Sequence, residues 1–381
     1  MRQDSRGNIL LVANYPSDVG YAWWLMENFW AAIAEHFGGQ GRRCVLVYPK
    51  VRGLSETIRR TDIDVVEHDF ADTSFGALRR LRRLISEHGI SSAYLTDKRT
   101  CSPFYAVLRS FGIRRIVVHD HTPGERPATT GWRRSFKAAL FKLPAITPDL
   151  CIGVSKFVYR RMIDNACVPE ERATYVLNGI VPIDAFAAAR HYVRSEFGLP
   201  NDALVVVSTG RATRYKGIDF MVRCAARIVR EPQGSNVFFL HCGDGPDLAM
   251  FRGLVTEAGL DGRFILAGRR GDVRKILPGC DVALQASMGE AFSLSILEYL
   301  SAGLSTVVPD SCGNAEAVDA GVTGLLYQPG NLEDAVSKIS ALLADPALRD
   351  RLGSAGKLAV EREFNIARAN RELVEVLDSR L

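Results

Sequence analysis

Short runs of apolar and β-branched residues alternate with longer helical stretches along this chain, and the alternation runs through twice. In the first half, the runs lie at residues 8–14, 44–48, 65–68, 92–96, 115–119 and 150–154. The pattern restarts with runs at residues 204–208, 237–241, 263–267, 282–285 and 305–309. Strands that alternate with helices predict βαβ units and parallel sheets. Because 381 residues are also too many for one ordinary core, we expect two Rossmann-like α/β domains that face each other across a deep cleft.

Glycine and proline residues set the expected domain boundaries. The linker is predicted between residues 178–180 and the turn at residues 198–201, which gives an N-terminal domain at 1–185 and a C-terminal domain at 186–360. Residues 331–381 are predicted to be helical, with breaks at Asp345-Pro346 and at Gly353. The last segment, 361–381, is expected to be a helix that packs back on the N-terminal domain.

Composition favours an enzyme of a reducing compartment. Apolar residues make up 47% of the chain, and no run approaches the roughly 18 apolar residues that a membrane span needs. The N-terminal apolar run, residues 9–13, is predicted to be a first strand and not a signal peptide. The eight cysteines are scattered without a C-x-x-C pair, which argues against a zinc site or a disulfide framework. We therefore expect a cytoplasmic protein.

The net charge of +5 is unevenly distributed. Residues 1–185 contain 26 Lys and Arg against 19 Asp and Glu. This excess indicates either an anionic partner, such as a phospholipid surface or a phosphate-bearing acceptor, or a solvated basic face. The basic amphipathic stretch at residues 132–142 is open to two interpretations, peripheral contact at the inner face of an anionic membrane or a surface helix that packs its apolar face on the domain. No aromatic-basic motif supports a nucleic-acid partner.

The stretch 289–298 (GEAFSLSILE) carries the most chemical information. A predicted strand runs into a short loop and then into a helix that starts near Phe292, Ser293 and Leu294. The first turn of a helix offers free backbone N–H groups and the positive end of its dipole, which suit a phosphate. Glu290 lies just before the helix, and Glu298 follows about 8 Å along the axis at 1.5 Å per residue. Taken alone, this pair also fits an ordinary helix with solvated glutamates.

A second group of candidate ligands follows the first strand of the C-terminal domain. Gly210 ends that strand and lets the backbone approach a ligand. Arg211 offers a planar fork for phosphate oxygens, and Lys216 adds a point charge. Gly243 and Gly268 end the next two strands. Glycine at these positions fits either a close approach of the backbone to a ligand or a tight structural turn. Ligands of open α/β sheets bind at these carboxyl ends.

These motifs together resemble the family 4 retaining glycosyltransferases, which have the B-type glycosyltransferase fold. The stretch 289–298 resembles the E-x7-E motif of that family, and residues 210–217 resemble its G-R-x-x-x-x-K-G segment. Further matches lie at residues 302–309, 313–316 and 321–331. The resemblance implies that Glu290 contacts the transferred sugar, that Glu298 contacts the ribose, and that Arg211 and Lys216 neutralise the departing diphosphate.

In the N-terminal domain the resemblance is looser. The family places a histidine close to the transferred sugar, and this chain offers His119 and His121 at the end of a strand, of which His119 directly ends the apolar run. The first strand–helix loop of the family, on the acceptor side, often carries a Gly-Gly pair, of which only Gly20 remains here.

The resemblance implies transfer of a sugar from a nucleotide sugar, UDP- or GDP-linked, to a hydroxyl of a glycan, lipid-linked or small-molecule acceptor in cell-envelope or polysaccharide synthesis. Neither a metal cluster nor a D-x-D pair is evident in the donor region, so we expect metal-independent transfer with retained configuration and no cofactor beyond the donor. A nucleotide-sugar epimerase or another sugar-processing enzyme of the same fold, including one that cleaves glycosides with two glutamates, is the alternative. An oxidoreductase is disfavoured because no G-x-G-x-x-G opens a helix after either first strand.

Overall fold

A computed structural model describes residues 7–19 and 21–381 of the chain. The structure divides into two compact units. The first unit ends at Asn178 and takes in the terminal segment Ile366–Leu381, and the second is Gly179–Asn365. The division thus falls earlier than residue 185, and the terminal segment starts at Ile366 and not at residue 361.

The first unit contains a seven-stranded sheet in the order β3-β2-β1-β4-β5-β6-β7, in which every pairing is parallel. Its strands are β1 (Asn8–Val12), β2 (Cys44–Tyr48), β3 (Asp64–Glu67), β4 (Ile90–Thr96), β5 (Arg115–Asp120), β6 (Leu150–Gly153) and β7 (Ala173–Tyr175). Its helices before the division are α1 (Tyr21–Gly38), α2 (Glu56–Arg59), α3 (Phe75–Glu87), α4 (Phe104–Ser110), α5 (Gly131–Leu140) and α6 (Lys156–Asp164).

The second unit contains a six-stranded parallel sheet in the order β10-β9-β8-β11-β12-β13. Its strands are β8 (Leu204–Thr209), β9 (Val237–Cys242), β10 (Phe264–Leu266), β11 (Val282–Leu284), β12 (Ser305–Pro309) and β13 (Leu325–Tyr327). Its helices are α7 (Ala189–Glu196), α8 (Ile218–Ile228), α9 (Leu248–Glu257), α10 (Val273–Ile276), α11 (Leu294–Ser301), α12 (Cys312–Ala315), α13 (Leu332–Ala344) and α14 (Pro346–Glu363). The predicted α/β class with two Rossmann-like domains is confirmed.

The runs that predicted the central strands β1 and β8 are largely apolar because both faces of these strands are buried. In β8, Val206 packs into the core on one face while Val205 and Val207 pack into the core on the other. A strand that is buried on both faces does not alternate apolar and polar residues. Unbroken apolar runs in the sequence therefore predict such strands.

The terminal helix, α15 (Ile366–Asp378), packs on α1 of the first unit. His36 Nε2 lies 2.9 Å from Asp378 Oδ1, and the backbone carbonyl of Leu381 accepts a hydrogen bond from Ser92 Oγ at 3.3 Å. Both contacts join the chain end to the N-terminal sheet and its flanking helix.

The predicted helix break at Gly353 is wrong. The helix α14 runs through this residue without interruption. A Cβ atom at Gly353 would lie 2.0 Å from the carbonyl oxygen of Gly303, so the glycine serves close packing of the helix against a neighbouring turn. The strands β7 and β13 were not predicted: no residue of β7 is buried and only one residue of β13 is, so neither lies in a buried apolar run.

All eight cysteines are free thiols. No helix in the described part of the chain is long and apolar enough to cross a membrane.

Candidate active site

The candidate donor residues of the second unit gather where its strand order reverses. The strands β8 and β11 are neighbours, and the chain leaves them towards opposite edges of the sheet. The carboxyl ends of such a pair open a crevice in which α/β proteins bind ligands. The segment with Gly210, Arg211 and Lys216 follows β8, and the loop with Glu290 follows β11.

Lys216 and Glu290 connect these two segments directly. Lys216 Nζ lies 2.7 Å from Glu290 Oε1, with the side chains 29% and 12% exposed. Lys216 is in a short 3-10 turn, and Gly217 after it adopts a left-handed conformation (φ +71°) as the N-cap of α8. The ion pair places an ammonium and a carboxylate together at the edge of the sheet.

The helix after Glu290 begins at Leu294, with Ser293 as its N-cap. Ser293 makes no side-chain capping hydrogen bond to this helix. Phe292 is buried and its ring packs on Phe364 at 5.7 Å between centroids. Glu298 is only 6% exposed, so it is not an ordinary solvated glutamate. The first turn of α11 therefore offers backbone N–H groups to a ligand, while the Phe292 side chain anchors the loop.

Hydrogen bonds that no sequence pattern predicted connect the end of β8 to α11. The backbone N–H of Thr209 donates to Tyr299 Oη at 2.6 Å, and Ser295 Oγ donates to the carbonyl of Thr209 at 3.3 Å. Tyr299 follows Glu298, and Thr209 precedes Gly210. These bonds therefore hold the glutamate helix and the arginine-bearing loop in one arrangement.

A buried polar network lies beneath the Glu290 loop and was also missed. Gln285 Nε2 donates to Ser287 Oγ at 2.9 Å and to Ser293 Oγ at 3.2 Å, and Asn314 Nδ2 donates to Ser287 Oγ at 3.4 Å. Tyr327 Oη donates to the Gln285 carbonyl at 3.1 Å. These bonds connect the residues before α11 to the end of β11 and to Asn314, whose Oδ1 atom is buried and meets no hydrogen-bond partner among the described residues.

The remaining predicted donor residues surround the same strand ends. Arg211 is exposed and forms no ion pair within the described residues. Gly243 lies against the preceding segment, since a Cβ atom there would lie 1.7 Å from the carbonyl oxygen of Gly210. This contact gives Gly243 a packing role of its own. Gly268 follows β10, one strand further from β8.

In the first unit the structure brings His119 and His121 together. Their ring centroids are 4.2 Å apart, and the Phe29 ring packs on both, at 5.5 Å and 6.3 Å. His119 Nδ1 is hydrogen-bonded to Tyr94 Oη. The Nε2 atoms of both histidines are buried and meet no hydrogen-bond partner among the described residues. Each ring therefore has a buried nitrogen that makes no hydrogen bond to the described residues.

Burial keeps both imidazoles neutral. It lowers the pKa of His121 to about 4 and that of His119 well below its usual range, with His121 adding to the effect on His119. His119 is fully buried, whereas His121 is partly exposed as a residue. The two neutral rings can accept or donate one hydrogen bond each at neutral pH.

Asp97, which the sequence analysis did not single out, supports the histidines. It follows β4 with a left-handed backbone (φ +52°), which is rare for a residue other than glycine. Its Oδ1 accepts a hydrogen bond from the backbone N–H of His121 at 2.6 Å. Burial raises the pKa of this carboxyl to about 7. Strained residues cluster at functional sites. Gly20, the expected acceptor-side residue, lies outside the described residues.

The basic amphipathic stretch forms α5, and the aromatic residues of this helix are not covered. Trp132 is 74% exposed and Phe136 is 59% exposed, and the helix has no buried residue. Phe141, near the end of the stretch, is buried in a core cluster with Cys151, Met162 and Val168. The stretch therefore packs on the domain at its C-terminal end and leaves Trp132 and Phe136 uncovered.

Two family models match the chain. The model described as Glycosyltransferase Family 4 matches residues 26–182, and the model described as Glycosyl transferases group 1 matches residues 190–359. The chain belongs to the group 1 glycosyltransferases. Among the curated relatives of this group 1 glycosyltransferase is the lipopolysaccharide core biosynthesis glycosyltransferase LpsE of Rhizobium meliloti, 30% identical over 172 residues. That match covers 45% of this chain and 49% of LpsE, so the chain spans about half the length of the curated relatives it matches.

Solved structures match the group 1 glycosyltransferase over its whole length. A glycosyltransferase from Rickettsia africae superimposes with a TM-score of 0.78 at 16% identity and covers 98% of both chains. The Anabaena protein HepE in complex with UDP gives a TM-score of 0.75 at 18% identity over 98% of this chain and 100% of HepE. These likenesses show the B-type glycosyltransferase fold.

Among the residues that the structure describes, no group of three or more His, Cys, Asp and Glu side chains is arranged to hold a metal ion.

Proposed function

We propose that the chain is a retaining glycosyltransferase that moves a sugar from a UDP- or GDP-sugar to a hydroxyl of a glycan, lipid-linked or small-molecule acceptor. The observation that carries the proposal is the 2.7 Å contact between Lys216 and Glu290. It joins the two segments that resemble the donor motifs of family 4, at the sheet edge where a nucleotide binds in open α/β folds. The UDP and UDP-glucose complexes of the structurally similar HepE support a uridine donor.

In this proposal the donor diphosphate lies against the first turn of α11 and between Arg211 and Lys216. Both cations and the helix N-terminus stabilise the negative charge that develops as the diphosphate leaves. No metal ion is needed for this charge stabilisation. Glu290 accepts hydroxyls of the transferred sugar, and Glu298 accepts hydroxyls of the ribose. Neither glutamate acts as a nucleophile.

The transfer forms a bond between the acceptor oxygen and the anomeric carbon while the bond from that carbon to the diphosphate oxygen breaks. The acceptor hydroxyl attacks on the face from which the diphosphate departs, which retains the configuration. Its proton passes to the departing phosphate. We assign His121 to a hydrogen bond with the transferred sugar, because His119 is fully buried and bound by Tyr94.

The exposed aromatic residues of α5 support a peripheral contact with an anionic membrane at its cytoplasmic face. Trp132 and Phe136 lie among basic residues on a helix without a buried side chain. Helices with this composition bind at the boundary of headgroups and acyl chains. Such a contact would bring the enzyme to a lipid-linked acceptor.

The proposal is tested in two stages. Thermal unfolding is first measured with UDP-, GDP- and ADP-sugars, and we expect one donor class to raise the Tm. Donor consumption is then measured for Glu290→Gln and for the matched control Glu333→Gln, an exposed glutamate paired with Arg227 at 3.3 Å in the same unit. We expect the first variant to lose about 10²-fold or more in turnover and the control to behave as wild type.

Two results would overturn the proposal. One is unchanged turnover in Glu290→Gln with a wild-type Tm. The other is conversion of the nucleotide sugar to a new nucleotide sugar without any acceptor, which indicates an epimerase.

A further inference from the structure

A cationic cavity lies in the first unit, beside the histidine pair. Its volume is about 800 Å³, within the range of small-molecule sites. We call this cavity the basic pocket. Its charged lining residues are Asp97, Lys98, Arg99, Asp120, Arg126, Arg133, Lys137 and Arg161. They come from the carboxyl ends of β4 and β5, the following loop, and the helices α5 and α6. The cavity is therefore at the sheet edge where this kind of fold binds its ligands.

The positive charge of the basic pocket is not balanced by its own carboxylates. Asp120 is buried and pairs with Arg161 at 3.1 Å between Oδ2 and Nη2, so these two charges neutralise each other. Five cationic residues remain, against Asp97. None of them forms an ion pair within the described part of the chain: Lys98, Arg99, Arg126, Arg133 and Lys137.

The hydrogen bonds of the pocket cations go to neutral oxygens. Lys137 Nζ donates to Thr129 Oγ1 at 2.9 Å and to the Asn165 carbonyl at 2.7 Å. Arg126 Nη2 donates to Thr122 Oγ1 at 2.9 Å. These bonds hold the cations in place but leave their charge available to an anion. Lys98 is partly buried behind them, so its ammonium is also incompletely hydrated.

The helix α5 contributes two basic residues to the pocket. Arg133 and Lys137 are four residues apart, on one face, and line the pocket. The guanidinium carbon of Arg133 also lies 5.8 Å from the centroid of the exposed Trp132 ring, so the pocket lining adjoins the aromatic side chains that we assign to the membrane.

Asp97 joins the basic pocket to the histidines. It lines the pocket, and its Oδ1 accepts the hydrogen bond from the backbone N–H of His121. A ligand held by the pocket cations therefore lies against the segment that carries the candidate sugar-binding histidine.

We infer that the basic pocket binds a phosphate group of the acceptor. Arginine forks and lysine ammonium groups are the side chains that bind phosphate oxygens, and the excess of positive charge favours an anionic ligand. This inference deepens the proposed function, because it names the acceptor class: a molecule that bears a phosphate as well as the hydroxyl that is glycosylated. The phosphate can belong to a soluble acceptor or to a lipid headgroup.

The test measures binding of glycerol 3-phosphate to the full chain by calorimetry without any donor, with glycerol as the uncharged probe. Vesicles of phosphatidylglycerol, compared with vesicles of phosphatidylcholine, form the second arm. The pocket variants are Lys98→Gln and Arg126→Gln. The matched controls are Arg79→Gln and Arg82→Gln, which remove exposed charges on α3, outside the pocket.

We expect glycerol 3-phosphate to bind and glycerol not to bind, with each pocket variant weakening affinity about tenfold, which corresponds to about 1.4 kcal/mol. The controls should leave affinity unchanged. If the pocket variants lose affinity for glycerol 3-phosphate but not for phosphatidylglycerol vesicles, the site binds a soluble phosphate. If they lose affinity for both, the site binds a phosphate carried by a lipid.

Two outcomes would overturn the inference. One is equal loss in the pocket and control variants, which reflects net charge alone. The other is the absence of any pocket-dependent binding, including vesicle binding that depends only on Trp132 and Phe136. Because no donor is present, these outcomes do not bear on sugar transfer. Failure of the proposed function would instead appear as absent donor binding in a chain that still binds phosphate.

Discussion

The hydroxyl of Tyr299 on α11 accepts a hydrogen bond from the backbone N–H of Thr209 at the end of β8, at 2.6 Å. The Thr209 hydroxyl donates to the same oxygen at 3.1 Å. Tyr299 is fully buried, and it adjoins Glu298 in the sequence as Thr209 adjoins Gly210. One phenol group thus fixes the distance between the two segments from which the candidate donor site is built.

Tyr299→Phe should therefore damage donor binding as well as stability. Without the phenol oxygen, the N–H of Thr209 loses its acceptor, which destabilises the fold by about 1–3 kcal/mol. We expect a lower free energy of unfolding in denaturant and a higher KM for the donor. Tyr192→Phe is the control, since it removes a hydroxyl bonded to Asp272 in the same unit. A raised KM in both variants would show that the effect is a general loosening of the unit.

Lys216→Gln should separate catalysis from stability. Lys216 is 29% exposed in its ion pair with Glu290, and partly exposed pairs contribute only about 0–1 kcal/mol to folding. Loss of a charge that stabilises the leaving diphosphate should reduce kcat about 10²–10³-fold. The exposed Lys338, paired with Asp334 at 3.9 Å, provides the control Lys338→Gln. A kcat for Lys216→Gln within a few-fold of wild type would exclude this role.

The stability of the first unit should depend on pH through His121. Burial lowers its pKa from 6.5 to about 4. Between these values the unfolded chain binds the proton and the native chain does not. The contribution of His121 therefore lowers the free energy of unfolding by about 1.4 kcal/mol for each pH unit as the pH falls from about 6.5 towards 4.

Denaturant unfolding at pH 7 and pH 5 checks this effect. Relative to wild type, His121→Gln should lose less stability on acidification, because the variant has no imidazole to charge on unfolding. Burial raises the pKa of Asp97 to about 7, which opposes the effect in wild type and variant alike, so the difference between the two proteins is the quantity to measure. His191→Gln, on the exposed side of α7, should match wild type at both pH values.

The sequence predicted the sheets because parallel strands covered on both faces leave long apolar runs. It also predicted individual donor candidates, because Glu290 and Lys216 lie in segments with a recognisable spacing. The contact between them joins positions 74 residues apart, and no local pattern encodes such a distance. In the polar network beneath the Glu290 loop, Gln285 reaches Ser287 over two residues, but Asn314 on α12 contacts Ser287 across 27 residues, and that contact depends on the finished fold.

Trp132 and Phe136 should control attachment to anionic vesicles. Each aromatic side chain contributes about 1.5–3 kcal/mol when it is fully buried, so the double replacement by alanine should weaken co-sedimentation by about tenfold or more. Phe75→Ala is the control, because Phe75 is 84% exposed on the basic helix α3. If the double variant sediments as wild type does, α5 does not contact the membrane.

Replacing Gly353 and Gly253 by alanine should change the free energy of unfolding in opposite directions, although both residues lie inside helices. In α9, a Cβ atom at Gly253 meets no heavy atom within 4 Å, so Gly253→Ala should stabilise the chain by about 0.5–1 kcal/mol through helix propensity. In α14, the added carbon at Gly353 would lie 2.0 Å from the Gly303 carbonyl oxygen. The helix must then move away from the turn after α11, and overpacking of this kind costs about 1–3 kcal/mol. Denaturant unfolding of the two variants measures both changes in the free energy of unfolding. If Gly353→Ala were more stable than wild type, helix propensity and not packing against Gly303 would determine the stability at this position.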